Sequence, residues 1–396
     1  MSLSVRSKPY IIPEYSLTGD LLAYLTCGLQ YRYQNKGTLP PSMPIQLWFG
    51  NFIHGVMEEA YLRWKEEDDW KNFPWDWKTQ IRDIELSIDK MMRARGMQPP
   101  VNLFCPFHEE TEELGLCPDH DHPHKLAAII RAEASINTWG PHLFPLIDDS
   151  EVKLKGIRDM PNYKKDQSRS NYYGIKGIID VLSSVKIDEA SDKNLIIKYL
   201  HNDPAFQYKL EKLDKPEYEI IVDYKGMKRP QLDSPSWNHH NWQVLTYSWL
   251  RSMQPESRPV LVGILFYLNE LSLFKEDLKE LKKDVETGKT DIKPFADDLD
   301  NILNWNPHKK APKISDSLKS LRSIRIIPVE YDNLESSLNE FDNVVADIEK
   351  SIQTEVNGQD IQSSWSPNPD KRTCDACDFT TFCKDSKSTK KFPSVP

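Results

Sequence analysis

No run of about 18 apolar residues occurs anywhere in the 396-residue chain, so no membrane-crossing helix is expected. Residues 1–15 carry no apolar core of the kind found in export signals, so no secretory leader and a cytoplasmic protein are expected. An excess of positive charge is missing too. Lys+Arg is 51 against 60 Asp+Glu, a net charge of -9, which argues against a uniformly basic nucleic-acid binder but leaves room for a local basic groove. There is no internal repeat with a period of about 20–50 residues, and no G-x4-G-K-[ST] segment, hence no P-loop. Cysteine is sparse, six residues, and in a chain with no export signal that argues against a disulfide framework and for metal or cluster ligation. What is present is apolar material: 39% hydrophobic residues and 11 Trp, enough for a sizeable core. At roughly 150 residues per domain the length fits two to three domains, or one with large insertions.

Patterning divides the chain near residue 150. Before it, residues 15–33 read as a helix carrying Cys27. Residues 46–67 read as a second helix with Leu47, Gly50, His54, Met57 and Tyr61 on one face. Helices are expected over 78–95 and 125–139, with a polar Cys/His-rich block at 101–124 between them. After it, 151–155, 174–185, 218–226 and the continuous apolar run 259–268 read as strands, with a helix at 238–253. Charged amphipathic helices are expected over 270–300 and 331–355, with a strand-like 322–331 between them. The last forty residues read as loop around a cysteine cluster. The expectation is an α+β or mixed α/β core inside helical flanks.

Two strands end in acids. Asp180 closes G-I-K-G-I-I-D, and Asp223 and Lys225 stand two apart in E-I-I-V-D-Y-K-G. Alternate strand residues share a face, so Asp223 and Lys225 project together while Tyr224 points away. Carboxylates on neighbouring strands can share Mg²⁺ or Mn²⁺, and a lysine beside the ion can position or activate water. That set suits phosphodiester hydrolysis. His54 lies on the inner helical face, where Gly50 one turn earlier would permit close approach, and imidazole is an acceptable ligand for Mn²⁺. Gln243 and Tyr247, at i and i+4, share one side of their helix.

In order along the chain these read Gly50-x3-His54, Gly177-x2-Asp180, Asp223-x-Lys225 and Gln243-x3-Tyr247. The series resembles the RecB-like branch of the PD-(D/E)XK nuclease superfamily. The resemblance implies an α/β restriction-endonuclease-like core, a central mixed sheet flanked by helices, with helical insertions and a C-terminal cluster-binding segment. It implies that His54, Asp180 and Asp223 ligate the metal, with the Tyr224 carbonyl as a further ligand. Lys225 would be the catalytic lysine, and Gln243 and Tyr247 would lie near the nucleic-acid backbone. Glu151 would fill an accessory acidic position.

Cys374-x2-Cys377-x5-Cys383 is a compact thiol trio that needs a fourth ligand, and Cys27 is the natural one; on the residues alone it fits zinc, a cluster or free thiols. Iron–sulfur members of the same nuclease branch, the AddB-type and CRISPR-adaptation nucleases, are similar in having one cysteine before the core and C-x2-C-x5-C after it. The resemblance therefore implies a [4Fe–4S] cluster held by Cys27, Cys374, Cys377 and Cys383. Gly28 stands where those proteins usually have proline. Separately, Cys105, His108, Cys117 and His120 form two C-x2-H units that can bind a structural zinc ion.

The stretch 151–176 holds Lys153, Lys155, Arg158, Lys164, Lys165, Arg169 and Lys176 with Tyr163, Tyr172 and Tyr173 interleaved, a composition suited to a DNA track. The expected organisation is N-terminal helices (1–67), a helical insertion (68–145), a nuclease core (146–270), a helical flank with one further strand (271–355) and a cysteine segment (356–396). The expected activity is Mg²⁺- or Mn²⁺-dependent hydrolysis of DNA, single-stranded or at duplex ends, exonucleolytic rather than endonucleolytic. By association the setting is repair or antiviral defence, with a helicase among the conceivable protein partners and no membrane. The competing readings are a non-catalytic DNA-binding or scaffold subunit of a helicase–nuclease complex, and an RNA-processing metalloenzyme.

Overall fold

The computed structural model describes residues 11–36, 45–98, 123–165 and 168–389. Cys105, His108, Cys117 and His120 lie outside the described residues. Six strands form one mixed sheet: β1 (Glu14–Ser16), β2 (Ile147–Asp159), β3 (Tyr172–Lys186), β4 (Glu217–Lys225), β5 (Val260–Tyr267) and β6 (Ile324–Pro328). The order is β1-β3-β4-β5-β6, with β2 antiparallel on the other flank of β3. The helices used below are α1 (Gly28–Lys36), α2 (Ile45–Glu66), α3 (Arg82–Ala94), α4 (Pro123–Leu143), α5 (Pro235–Ser252), α6 (Lys275–Glu286), α7 (Ala296–Leu303), α8 (Asp316–Ser323) and α9 (Tyr331–Val356).

The sheet is buried on both faces, which is why β5 reads as an unbroken apolar run. On one face α2 and α4 set Phe52, Ile53, Met57 and Trp139 against Ile220, Val222, Ile264 and Phe266. On the other, α5 and α9 set Tyr247, Leu250, Phe341 and Val345 against Ile175, Ile179 and Ile221. Each fully buried aromatic or aliphatic side chain here contributes roughly 1.5–3 kcal/mol. Helix α5 is the crossover between the parallel strands β4 and β5. It starts sharply because Ser234 accepts the Trp237 N–H and Pro235 occupies the first turn. Helices α6, α7 and α8 build a small core of their own, around Leu278, Leu281, Ile302 and Leu318. Ion pairs Arg229–Asp291, Arg325–Asp291 and Arg322–Glu270 fasten that unit to the sheet edge.

One detail of pairing creates the site. Strand β3 bonds to β4 from Val181↔Val222 onward, and on the same flank bonds to β1 only at Gly174–Lys176. Between these two pairings the strands part, and Asp180 stands at the parting.

Several expectations need correction. The helix expected over 15–33 is broken: helical turns at Leu17–Leu22 and Ala23–Thr26 end at Cys27, which is extended (φ -166°, ψ 113°), before α1 begins. The helix expected over 270–300 is two, α6 and α7, because the chain turns at Gly288 with φ +68°. The last forty residues contain short helices at Ile361–Ser364 and Lys371–Ala376. The basic stretch 151–176 is partly consumed by the fold. Arg158 pairs with Asp342 (2.6 Å), Arg169 with Glu349, and Lys155 with Glu14 (3.0 Å), so three of its cations clasp α9 and β1. Among the described residues no helix is long and apolar enough to cross a membrane.

Candidate active site

The parting of β3 and β4 opens into a large, solvent-open cleft that contains His54, Glu151, Asp180, Asp223, Lys225, Gln243 and Tyr247. Asp180 reaches across the parting and accepts the Tyr224 N–H at 2.7 Å. From α2, His54 points its Nδ1 at Asp180 Oδ1 (3.3 Å) and its Nε2 at the Tyr224 carbonyl (2.9 Å). Both ring nitrogens thus face oxygen acceptors, which favours the doubly protonated ring. Burial pulls its pKa down, but Asp180, with help from Asp223, outweighs this and raises it to about 9. The same pair works in reverse on Asp180. Burial raises its pKa, while His54 and the Tyr224 N–H outweigh that and hold it low.

Asp223, Lys225 and Gln243 form the second half. Asp223 and Lys225 project to the α5 side of β4, and Lys225 Nζ lies 2.5 Å from Asp223 Oδ2. Nζ also donates to Gln243 Oε1 (2.7 Å), whose Nε2 donates to the Tyr247 hydroxyl (3.0 Å) and to Asp223 Oδ1 (3.3 Å). Tyr247 lies over Gly177, where a Cβ would come 2.6 Å from its ring. That explains the glycine of Gly177-x2-Asp180: any side chain would displace the tyrosine that fixes Gln243, and through it Lys225. Burial, ahead of the opposing pull of Lys225, raises the Asp223 pKa to about 6.

His54, Glu151 and Asp180 each offer a ligand atom within 4.8 Å of the other two. Glu151, expected at an accessory position, thus stands beside two of the expected ligands. Asp223 contacts Lys225 and Gln243 in the same cleft, and the Tyr224 carbonyl faces His54. Glu151 gets there by an unusual backbone: its φ is +53° in the middle of β2. Its neighbours pair as Ser150↔Val181 and Val152↔Ile179, so it sits opposite Asp180. A residue with a side chain held in left-handed backbone costs on the order of 1–3 kcal/mol and marks a functional constraint. Burial raises the Glu151 pKa, and Asp180 and Glu58 add to the rise. Glu58 is the acid that sequence reasoning missed; it lines the cleft one turn beyond His54, a position legible as i+4 on the same helical face. The glycine expected to allow close approach, Gly50, is not the one that does: a Cβ there would meet nothing within 4 Å, whereas a Cβ at Gly226 would come 2.9 Å from Phe49.

The four cysteines meet away from this cleft. Cys27, Cys374, Cys377 and Cys383 line one small cavity with Tyr33, Pro367 and Phe379. The break in the helix at Cys27 turns that residue toward the C-terminal segment. Gly28 lets the segment approach: a Cβ there would sit 2.8 Å from the Ser366 carbonyl, which a proline could not permit either. Backbone N–H groups of Asn368 and Phe379 point at Cys27 Sγ (3.5 Å) and Cys377 Sγ (3.4 Å). Burial raises the Cys377 pKa to about 11 and raises that of Cys383. Burial thus disfavours the thiolate at Cys377 and Cys383, and a bound cation would favour it.

Compared with known proteins, the chain matches no family model and no curated protein.

Proposed function

We propose that the protein is a divalent-metal-dependent nuclease of the PD-(D/E)XK type, RecB-like branch, acting on DNA. The observation that carries the reading is the meeting, in one cleft, of His54, Glu151 and Asp180 with the Asp223–Lys225–Gln243–Tyr247 chain. The donor set fits Mg²⁺ or Mn²⁺: carboxylates and one imidazole, with one ligand atom from each of His54, Glu151 and Asp180 within 4.8 Å of the others. A cation held by His54, Glu151, Asp180 and Asp223 would supply a Lewis acid at the phosphodiester and a more acidic bound water. Lys225, steered by Gln243 and Asp223, orients the attacking water and offsets charge on the phosphate oxygens. Tyr247 keeps Gln243 in place, and the Tyr224 N–H holds Asp180 in the ligating position.

The thiol cavity supports an iron–sulfur cluster as a structural clasp between the two ends of the domain. Four ligands and N–H groups aimed at sulfur suit such a centre.

The test is incubation with Mn²⁺ or Mg²⁺ of end-labelled single-stranded, duplex and circular DNA. Degradation that chelator abolishes is the expected result, with circular DNA separating exonucleolytic from endonucleolytic cutting. Binding of DNA without any cleavage would favour the scaffold-subunit reading.

A further inference from the structure

The cleft does not end at the reacting groups. One wall is apolar and comes from the start of α2, the end of α3 and the turn after β4, positions the proposed chemistry does not use. Leu47 at the start of α2, Met91 and Met97 at the end of α3, and Met227 just past Lys225 all line it. Leu47 is 47% exposed, and the three methionines are half-buried.

This wall is positioned by specific backbone features. Helix α3 ends in a left-handed turn at Gly96 (φ +66°), with Met97 N–H returned to the Met92 carbonyl at 2.9 Å and Gly96 N–H to the Arg93 carbonyl at 3.0 Å. That closure sends Met92 into the core and Met97 into the cleft. The Met227 turn is held from both sides: Gly226 packs on Phe49, and the Arg229 N–H donates to Glu270 at 2.8 Å. Cations flank the methionines. Arg95 is exposed at the end of α3, and Lys228, paired with Glu280, follows Met227. Arg131 and His124 also border the cleft, and Asp277 takes up the charge of Arg131 at 2.7 Å.

We propose that Leu47, Met91, Met97 and Met227 receive the unstacked bases of a single strand while Arg95 and Lys228 hold its phosphates, so that this wall sets the preference of the cleft for unpaired over paired nucleic acid. The inference rests on the nuclease reading for the direction of the strand into the reacting groups. Thioether side chains are polarisable and adaptable, and they suit flat base faces of any identity. A duplex hides those faces in its stack and offers only groove edges and phosphates, so an apolar wall gains nothing from it. The cationic flank alone would attract both forms alike.

The experiment uses the full chain without added metal, with a fluorescein-labelled oligothymidylate and a blunt hairpin duplex as probes. In the triple variant Met91→Gln, Met97→Gln, Met227→Gln, single-strand affinity should fall about tenfold or more, on the order of one lost base contact, and duplex affinity should stay unchanged. Mn²⁺ affinity of the triple variant, read by calorimetry in the absence of nucleic acid, reports whether the reacting groups are still in place. Equal loss for both probes, or no loss for either, would overturn the proposal, as would failure of the wild type to bind the single strand. Should the triple variant not fold, Arg95→Glu at an exposed helix end serves instead. It should weaken single-strand binding and flatten its salt dependence, and an unchanged salt slope would count against the path. If binding depends on the wall but DNA is never cleaved in Mn²⁺ or Mg²⁺, the nuclease reading fails and the path stands. If cleavage is real but indifferent to the wall, the path fails and the nuclease reading stands.

Discussion

Replacing Glu151 with glycine should make the protein more stable and less able to hold a divalent cation. The residue sits at φ +53° inside a strand, where glycine is at ease and glutamate is not. Left-handed backbone at a residue with a side chain costs roughly 1–2 kcal/mol. Glycine's freer unfolded chain takes back about 0.5–1 kcal/mol. The balance is a gain on the order of 0.5–1 kcal/mol, and removing a carboxylate that Asp180 and Glu58 crowd adds to it in the same direction. Urea unfolding in EDTA should therefore show a higher midpoint for Glu151→Gly than for wild type. With Mn²⁺ at a hundred times its dissociation constant, wild type should gain about 2.7 kcal/mol and the variant well under half of that. Glu151→Asn, which tolerates left-handed backbone without the charge, should behave like the glycine variant. A variant less stable than wild type in EDTA would refute the idea that the strain serves the site.

Other perturbations read other parts of the structure. Gly177→Ala places a Cβ 2.6 Å from the Tyr247 ring; it should cost about 1–3 kcal/mol of stability and lower cleavage through the displaced Gln243, measured by urea midpoint and initial rate. Glu85 is fully buried in α3, and burial, only partly offset by Arg82, raises its pKa to about 8. Below the ordinary carboxylate range it is protonated folded and unfolded. As pH rises towards 8 the unfolded chain ionises first, so stability falls by a few kcal/mol, on the order of 1.4 kcal/mol per unit. Glu85→Gln should remove that slope between about pH 5 and 8, and an equal slope in both proteins would contradict the assignment. Cys27→Ser, purified anaerobically, should lose iron and visible absorption together with thermal stability; a colourless wild type carrying zinc would replace the cluster with a zinc site.

The parts of the site made of local pattern are legible in the sequence. Asp223 and Lys225 share a face because strands alternate, and Gln243 and Tyr247 share one because helices turn. What is not legible is what depends on pairing between distant strands. Nothing local marks Asp180 as the point where β3 leaves β4, since that follows from β1 taking over the pairing at Gly174–Lys176. Strand β1, three residues long, has no periodicity to detect. The left-handed Glu151 is imposed by the strand opposite, and a glutamate in E-V-K-L-K reads as an ordinary strand residue. The split of the 270–300 helix is readable in principle, at Gly288 with Pro294 beyond. The arginines of the basic stretch read as free for DNA because their partners, Asp342 and Glu349, lie far along the chain on α9.

If the cleft binds a divalent cation and Lys225 works beside it rather than on it, cation affinity and cleavage should respond differently to substitutions at Lys225 and Asp180. The most direct measurement compares wild type, Lys225→Ala and Asp180→Asn for Mn²⁺ binding by calorimetry and for single-turnover cleavage of labelled DNA. Lys225→Ala should bind Mn²⁺ about as wild type does and cleave about 10²–10⁴-fold more slowly, whereas Asp180→Asn should lose both. Cleavage by Lys225→Ala at the wild-type rate, or by Asp180→Asn with Mn²⁺ affinity intact, would contradict the account.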